Sequence, residues 1–596
     1  MTGAEQNLTR LSRDALDDTN LVQSFSGVRT VFGHGPDISP ELRALAAAYG
    51  FCCARRTLRR ERALFVVGRD PRPTGDALAR AIVRGVVAGA RSGNLQVSIV
   101  NLGVITTPLA QTAVRALEAD GGVIVTASHN PIDHNGFKFL TGSADRTLDA
   151  APAGALLSAG AMAGVIADVH RLASGADAEF DRLAGQVDSE SVDKLMSPSG
   201  SEHLRVAAER AYLDAIGEDW GITPHCLKPL TLGPVLLDPN GGAGCGIDAR
   251  VLEHFGVRVI EINAEPGYPE HGIDTDGIDP AGGRHMLLRV ARAAARHRAH
   301  FGVAFDYDAD RGNLVLPGQD ESAIIAPQRV AALNIALALA RRRVQGNVSP
   351  RLAVVASDAT SLACHRVARA FGARVFEVET GEINVVSKMH SLRSEGYDVP
   401  VGVEGANGGT IFESATCRDG LQVALAAAQA AAQAESMPEV AAEWMQMISG
   451  INGSAFDTSR GITLQELVES VPVNSNVMLK LSSPPMPHGE VKRRMEDHFR
   501  ETAWPELGTR FDGYEFQNFE QTSMVTDRTG DETGAWRVML RSPDREAFVF
   551  VRGSRTEPGV WRMIVDADSA DDFAALLPIA ERMFAAASAL EEGSDR

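Results

Sequence analysis

The sequence predicts a multidomain α/β protein: three related units on mixed, mainly parallel sheets, then a smaller α+β unit. Three observations carry this. The chain has 596 residues, too many for one core, and at about 150 residues per domain the expectation is about four domains. Strand, helix and strand follow one another in short order three times, which is the mark of βαβ units with right-handed crossovers. From about Met437 the texture changes to Trp, Pro and alternating apolar residues. The expected domains are 1–202, 203–320, 321–440 and 441–596.

In the first unit, 63–68 (ALFVVG) reads as a strand, 76–89 as an amphipathic helix and 95–100 as a strand, and Thr107-Pro108 opens a helix to Ala116. The apolar run 123–125 is a buried strand. It stops at Thr126-Ala127-Ser128-His129-Asn130-Pro131, where Pro131 lacks an amide hydrogen and biases Asn130 toward extended backbone. The result is a loop at a strand's C-terminal edge, where open α/β sheets place ligands. Residues 142–202, rich in Ala, Ser, Gly and Asp, are expected to hold one or two helices and an exposed loop around Ser197-Pro198-Ser199-Gly200, before a helix over 203–216.

The second unit opens with strand 234–237 and the turn Asp238-Pro239-Asn240-Gly241-Gly242-Ala243-Gly244-Cys245-Gly246, then helix 247–255 and strand 257–262. This imitates a dinucleotide fingerprint, but the glycines are spaced G-x-G-x-G and Pro239 sits in the turn, so a structural tight turn is the better reading. Strand 302–305 runs into Asp306-Tyr307-Asp308-Ala309-Asp310-Arg311, and a long helix covers 322–340. The third unit has strand 352–355, helix 361–371, strand 375–377, the turn Thr380-Gly381-Glu382-Ile383-Asn384, helix 385–394, a Gly-rich turn over 402–412 and an Ala- and Gln-rich helix over 419–434. In the last unit 479–481, 538–540 and 548–551 read as strands, and 570–587 as a helix kinked or broken at Pro578.

Bulk properties exclude some function classes. A net charge of −19 argues against a nucleic-acid or anionic-membrane surface as the main role. The six cysteines form no C-x-x-C pair, which disfavours a zinc or thioredoxin site and fits a reducing cytoplasm. No apolar run is long enough to span a membrane, and 1–18 has no apolar signal-peptide core.

Three stretches carry chemistry. Ser128, with His129 beside it and Lys138 a few residues on, offers a hydroxyl with acid/base neighbours that could serve as a phosphoryl relay; for an isolated Ser-His-Asn an ordinary polar loop is the better reading, and the whole string decides between them. Asp306, Asp308 and Asp310 place three carboxylates within five residues of a strand end, a set of hard oxygens suited to Mg²⁺, Mn²⁺ or Ca²⁺. An EF-hand is excluded because Arg311 stands where its glycine is needed and Pro317 where its glutamate is needed. A solvated acidic turn is disfavoured because 301–305 ties the loop to a buried strand. Arg552-Gly553-Ser554-Arg555-Thr556-Glu557-Pro558, then Arg562, supplies guanidinium forks, hydroxyls and amides for a phosphate dianion.

Taken whole, T-A-S-H-N-P followed by N-G-x-K resembles the phosphoserine loop of the α-D-phosphohexomutases. Asp306–Arg311 resembles the family's D-G-D-x-D-R metal loop, with Tyr307 in place of glycine, and 552–562 its R-x-S-G-T-E-P-x-x-R phosphate loop, with Arg555 in place of glycine. Ser26-Gly27-Val28-Arg29 resembles an N-terminal G-[IV]-R, and Arg69-Asp70-Pro71-Arg72 a turn that shapes the sheet edge. Val403-Glu404-Gly405-Ala406-Asn407-Gly408 stands where the family reads its sugar through G-E-x-S-G, with Ala406 and Asn407 both candidates for the serine's place.

The resemblance implies four domains around a central active-site cleft and a phosphoryl group moved between O1 and O6 of a hexose phosphate, mannose or glucose, through phosphorylated Ser128 and a hexose 1,6-bisphosphate. It also implies one Mg²⁺ on Ser128, Asp306, Asp308 and Asp310, with the bisphosphate as activator. Lys138, with His129 or Arg29, is the acid/base candidate. Arg311, Glu382, Glu404, Asn407, Arg552, Ser554, Arg555, Thr556 and Arg562 would bind substrate. The implied partner is a sugar phosphate alone, in a cytoplasmic monomer or dimer. The same motifs leave open a phosphoglucosamine or N-acetylglucosamine-phosphate mutase, a hexose 1,6-bisphosphate synthase, a phosphatase using Ser128, and a silent sugar-phosphate sensor.

Overall fold

The computed structural model describes residues 7–589 except 144–150, 176–177, 228–232, 268–282, 345, 347–348, 437–446, 448–462, 485, 528–533 and 555–558. The chain divides into two compact units, Met1–Ile325 with Ile411–Gln429, and Ala326–Thr410 with Ala430–Arg596.

The first unit carries two sheets. Strands β1 (Val22–Ser24), β2 (Gly27–Val31), β3 (Arg62–Arg69), β4 (Gln96–Val104), β5 (Gly121–Val125) and β6 (His134–Thr141) form one, in the order β1-β2-β6-β5-β3-β4. Strands β7 (Val235–Asp238), β8 (Val259–Glu261), β9 (Gly302–Phe305) and β10 (Gly312–Val315) form the other, in the order β10-β9-β7-β8. A third sheet holds β11 (Leu352–Ser357), β12 (Arg374–Val378), β13 (Asp398–Glu404) and β14 (Gly409–Phe412), in the order β12-β11-β13-β14.

These three sheets share one plan. The first of four successive strands is central, the second flanks it on one side and the third on the other, all parallel, and the fourth joins beyond the third. Where the register is defined, that fourth strand is antiparallel: β6 on β5 and β10 on β9. The serine loop, the aspartate loop and the Glu404 loop all occupy the turn between third and fourth strands. The repeat is therefore one of topology and site placement, with little trace in residue identity.

The second unit also holds β15 (Ser475–Ser482), β16 (Gly513–Phe516), β17 (Phe519–Glu520), β18 (Ser523–Met524), β19 (Trp536–Ser542), β20 (Arg545–Gly553) and β21 (Val560–Ala567). Five of them make an antiparallel sheet, β15-β21-β20-β19-β16. One face packs Trp536, Val549, Trp561 and Met563 against helices His488–His498 and Ala570–Ala587. The last helix continues through Pro578, so the chain does not break there as one form of the expectation had it. Its apolar face, including Leu576, Ile579 and Met583, is buried in that core, and this packing outweighs the lost backbone bond.

The region 142–202 also differs from expectation. It holds helices Ala159–Ser174, Ala178–Gly185 and Ser189–Leu195, and Ser197-Pro198 starts a helix that continues to Trp220. Ser-Pro reads as a loop signal, yet Pro at the first helical position is favourable because its missing amide hydrogen would be unpaired there anyway.

Asp566 on β21 accepts hydrogen bonds from the Leu362 amide (3.3 Å) and the Asn474 side chain. Burial pushes its carboxyl up to about 6, against the hydrogen bonds from Ser361, Asn474 and Leu362. The folded protein thus holds a proton there that the unfolded chain releases near pH 4. The contribution of this carboxyl to stability is full below about pH 4 and is lost as pH rises through about 6, roughly 3 kcal/mol in all. Urea midpoints measured across that window should show the decline, and Asp566→Asn should flatten it and be the more stable protein above pH 6. An unchanged slope in the variant would remove Asp566 as its source.

Candidate active site

The serine loop is shaped by buried polar bonds. Ser128 adopts a left-handed φ of 49°, and its amide donates to Thr126 Oγ1 at 2.8 Å. Arg72, fully buried, pairs with Asp70 (Nε–Oδ2 3.1 Å) and donates to the carbonyl oxygens of Ser128 (2.7 Å), Asn130 (2.7 Å), His134 (2.8 Å) and Pro131. One guanidinium therefore gathers four loop carbonyls, using the fork geometry that only Arg offers. Arg72→Lys should lose stability by about 3–5 kcal/mol. It should also lower kcat by roughly 10²-fold through misplacement of Ser128. Thermal unfolding and steady-state rates check both effects.

Ser128 Oγ donates to Asp306 Oδ2 at 2.9 Å, and His129 Nδ1 lies 3.5 Å from Ser128 Oγ. The turn between β9 and β10 buries Asp306, Asp308 and Asp310 completely, and each offers a carboxylate oxygen within 4.8 Å of the others. Cations surround them. Lys138 Nζ, on β6, is 3.3 Å from Asp308 and 3.6 Å from Asp310. Arg418 donates to Asp310 Oδ2 at 2.7 Å, Arg311 Nε lies 3.6 Å from Asp310 Oδ1, and the Arg311 amide donates to Asp306 Oδ1 at 3.1 Å. Thr107 Oγ1 donates to Asp308 Oδ2 at 3.0 Å.

The electrostatics follow from this packing. Burial, reinforced by Asp310 and Asp308, pushes Asp306 well above the usual carboxylate range. Burial also works against ionised Asp310, but Arg418, Lys138 and Arg311 outweigh it and hold that carboxyl below its ordinary value. Arg29, on β2, is pushed down to about 10 by burial, with Asp308 and Asp310 opposing and Arg311 and Arg418 assisting; it faces the same cluster.

Among the described residues, the buried Asp308 Oδ1 and Asp310 Oδ1 have no hydrogen-bond donor. Buried carboxylate oxygens that accept no hydrogen bond suit a hard divalent cation. The triad together with Ser128 Oγ is thus a fitting donor set for the expected Mg²⁺.

In the second unit, the Thr380 amide and hydroxyl donate to Asp358 Oδ1 (2.9 and 2.6 Å), and the Thr380 carbonyl accepts from Arg552 at 3.3 Å. Arg552 stands opposite Arg562 in the β20–β21 register. Burial lowers the Arg552 pKa, while Asp358 and Glu404 oppose that shift, so Glu404, Thr380 and Arg552 share one neighbourhood. Glu382, buried, starts helix Glu382–Ser394. Asn407 spends its side-chain oxygen on the Gly409 amide (2.9 Å), and Ala406 packs on the apolar face of the C-terminal sheet. The Ser554 amide donates to Val560 O at 2.7 Å. Arg555 and Thr556 lie outside the described residues.

Comparison with known proteins places this arrangement. Residues 22–151 match the model of phosphoglucomutase/phosphomannomutase α/β/α domain I, and residues 332–448 that of domain III. A curated phosphoglucosamine mutase of Saccharopolyspora erythraea is 30% identical over 397 residues, covering 65% of this chain and 74% of the relative. The chain belongs to the α-D-phosphohexomutase family. A phosphoglucosamine mutase of Paenarthrobacter aurescens is 29% identical over 422 residues (70% of this chain, 79% of the relative). One from Clavibacter sepedonicus is 30% identical over 320 residues, where the chain spans only 58% of the relative's length. Among solved structures, the parafusin phosphoglucomutase of Paramecium superposes with a TM-score of 0.61 at 15% identity over 96% of each chain. A phosphoglucomutase/phosphomannomutase family protein of Burkholderia thailandensis gives 0.59 at 19% identity, over 97% of this chain and 98% of that one. These two likenesses show the fold.

One departure of this chain from the family pattern now has a physical account. Tyr307 replaces glycine in the metal loop without cost because the left-handed residue there is Ala309 (φ 59°). The Tyr307 ring lies under the Arg72 guanidinium, 5.2 Å from centroid to Cζ. The Gly-rich turn after β7 is packed rather than open, since a Cβ on Gly242 would lie 2.5 Å from the Tyr307 carbonyl oxygen. Sequence reasoning missed Arg418, Thr107 and Asp358, and read Arg72 only as a sheet-edge residue. Arg418 comes from the Ile411–Gln429 segment, 108 residues from Asp310, with no local signal.

Among the described residues no helix is long and apolar enough to cross a membrane.

Proposed function

We propose that the protein is a phosphoglucosamine-type mutase, interconverting the 1- and 6-phosphates of a 2-amino hexose through phosphorylated Ser128 and a 1,6-bisphosphate. The observation that carries the reaction type is the Ser128 hydroxyl 2.9 Å from Asp306 within a buried, metal-ready carboxylate triad. The sugar choice rests on the curated relatives, named phosphoglucosamine mutases at 26–30% identity. Those names favour the amino sugar over the glucose or mannose phosphate suggested by the motifs alone.

In this reading Ser128 takes and returns the phosphoryl group, and Arg72 fixes the backbone that aims its hydroxyl. Asp306, Asp308, Asp310 and Ser128 Oγ would hold Mg²⁺, which supplies Lewis-acid stabilisation of the transferring phosphoryl. Lys138, buried beside the triad, does the acid/base work, with His129 at hydrogen-bond range of Ser128 and Arg29 as fixed positive charge. Arg552, Ser554 and Arg562 hold the phosphate that does not react, and Glu404 and Glu382 accept hydrogen bonds from sugar hydroxyls.

The test is turnover of glucosamine 1-phosphate, N-acetylglucosamine 1-phosphate, glucose 1-phosphate and mannose 1-phosphate with Mg²⁺ and trace bisphosphate. Glucosamine 1-phosphate should give at least a tenfold higher kcat/KM than the others. A preference for mannose or glucose 1-phosphate would return the assignment to those sugars. Inorganic phosphate released in step with substrate loss would indicate a phosphatase instead, and a need for a separate phosphoryl donor a bisphosphate synthase.

A further inference from the structure

The reaction leaves unused the most basic stretch of this acidic chain. Arg55, Arg56, Arg59, Arg60 and Arg62 fall within eight residues at the end of helix Pro40–Thr57 and the start of β3. Three of them, Arg55, Arg56 and Arg59, line a cavity of about 310 Å³ whose other walls include Leu157, Ala161 and Val165. A second cavity, of about 620 Å³, shares Arg55 and Arg56.

The cavity is built rather than incidental. Arg56 is fixed by its ion pair with Asp168 and by the bare face of Gly164, where a Cβ would lie 2.6 Å from the guanidinium. Arg59 donates to the carbonyl oxygens of Arg55 (3.2 Å), Leu58 (2.9 Å) and Arg56. It thereby covers the negative end of the helix, which would otherwise repel an anion. The acid in the lining, Asp120, is already committed, to Arg60 at 3.2 Å and to the Leu64 amide at 2.8 Å. Arg55 lies over the Phe51 ring, 5.4 Å from Cζ to centroid, and makes a loose contact with Glu179 at 3.7 Å. The lining is thus net positive on one side and apolar on the other, at a volume that suits a small ligand.

Asp120 and Thr141 in the lining mark the start of β5 and the end of β6, which pair there. Ser128 lies beyond the opposite end of β5, whose five residues alone span roughly 13–17 Å at strand rise.

We propose that this cavity binds a small organic phosphate of mononucleotide size, its phosphate held by Arg55, Arg56 and Arg59 and its organic body against Leu157, Ala161 and Val165. The site is separate from the centre at Ser128 and does not depend on which sugar the enzyme uses. Guanidinium forks match phosphate oxygens, and the apolar wall asks for more than a bare anion.

Calorimetric titration of the full chain with adenosine diphosphate tests this. Binding should survive Arg552→Ala within twofold, fall at least tenfold in the double variant Arg55→Gln, Arg59→Gln, and fall similarly in Ala161→Trp, which fills the cavity and leaves the helix end intact. Inorganic phosphate should bind at least tenfold more weakly than the nucleotide. No binding to the wild type, loss of binding in Arg552→Ala, or undiminished binding in Ala161→Trp would each overturn the proposal. Equal affinity for inorganic phosphate would overturn the role of the apolar wall.

Discussion

Ser128→Ala is expected to abolish mutase turnover, with kcat reduced on the order of 10⁴-fold or more, in a protein that unfolds within a few degrees of the wild type. The activity loss follows from the chemistry. A phosphoryl relay with no acceptor atom has no second pathway of comparable rate, and deleting a nucleophile costs more than deleting any of its helpers. The small stability change follows from the local structure. Alanine carries the same Cβ as serine, so the left-handed backbone at φ 49° is no worse strained. The main loss is the bond from Ser128 Oγ to Asp306 at 2.9 Å, worth about 1 kcal/mol net. Arg72 still holds the loop through carbonyl oxygens that the substitution does not touch. Two measurements decide the matter: progress curves on the preferred sugar phosphate, and intact mass after incubation with the bisphosphate. A phosphate adduct on the wild type and none on the variant is the expected pair. An adduct on the variant would move the phosphorylated residue elsewhere, and silent wild type that still binds sugar phosphate would make the protein a sensor.

The legible part of this site was local, and the illegible part was what long-range packing delivers. Ser128 and the three aspartates could be read because each motif is contiguous and ends an apolar strand. Lys138 was legible as a residue but not as a position. After Pro131 the chain reads as loop, yet His134–Thr141 is strand β6, pairing with β5 so that Lys138 stands opposite Ile124. That placement, and not proximity in sequence, carries its amine to Asp308. The strand was missed because H-N-G-F-K-F begins with turn formers, and its pairing partner, not its propensity, decides its state. Arg29 was read from a glycine-flanked motif, whereas the structure makes it part of β2, paired with β6. The threefold repeat was visible in element order alone, since topology and loop position are shared where residues are not.

Replacing Lys138 by methionine separates two roles that the structure superimposes. The ammonium is almost wholly buried and lies 3.3 and 3.6 Å from Asp308 and Asp310, so it neutralises carboxylates that burial makes costly. Without it the metal-free protein should lose about 3–5 kcal/mol, as buried charge left without its partner usually does. A divalent cation binding the folded state supplies the missing charge. Saturating Mg²⁺ should therefore raise the unfolding temperature of Lys138→Met by more than it raises that of the wild type. Catalysis should respond differently. If Lys138 transfers a proton, kcat falls by roughly 10²–10⁴-fold, KM changes little, and excess Mg²⁺ restores stability without restoring rate. If its role is neutralisation alone, Mg²⁺ restores both together, and acid/base work passes to His129, whose Nδ1 lies 3.5 Å from the serine oxygen. Unfolding and kcat titrated against Mg²⁺ on the same variant thus give curves that coincide for a counter-ion and diverge for a proton donor. The geometry, with the amine buried next to the strand that aims Ser128, leads us to expect divergence.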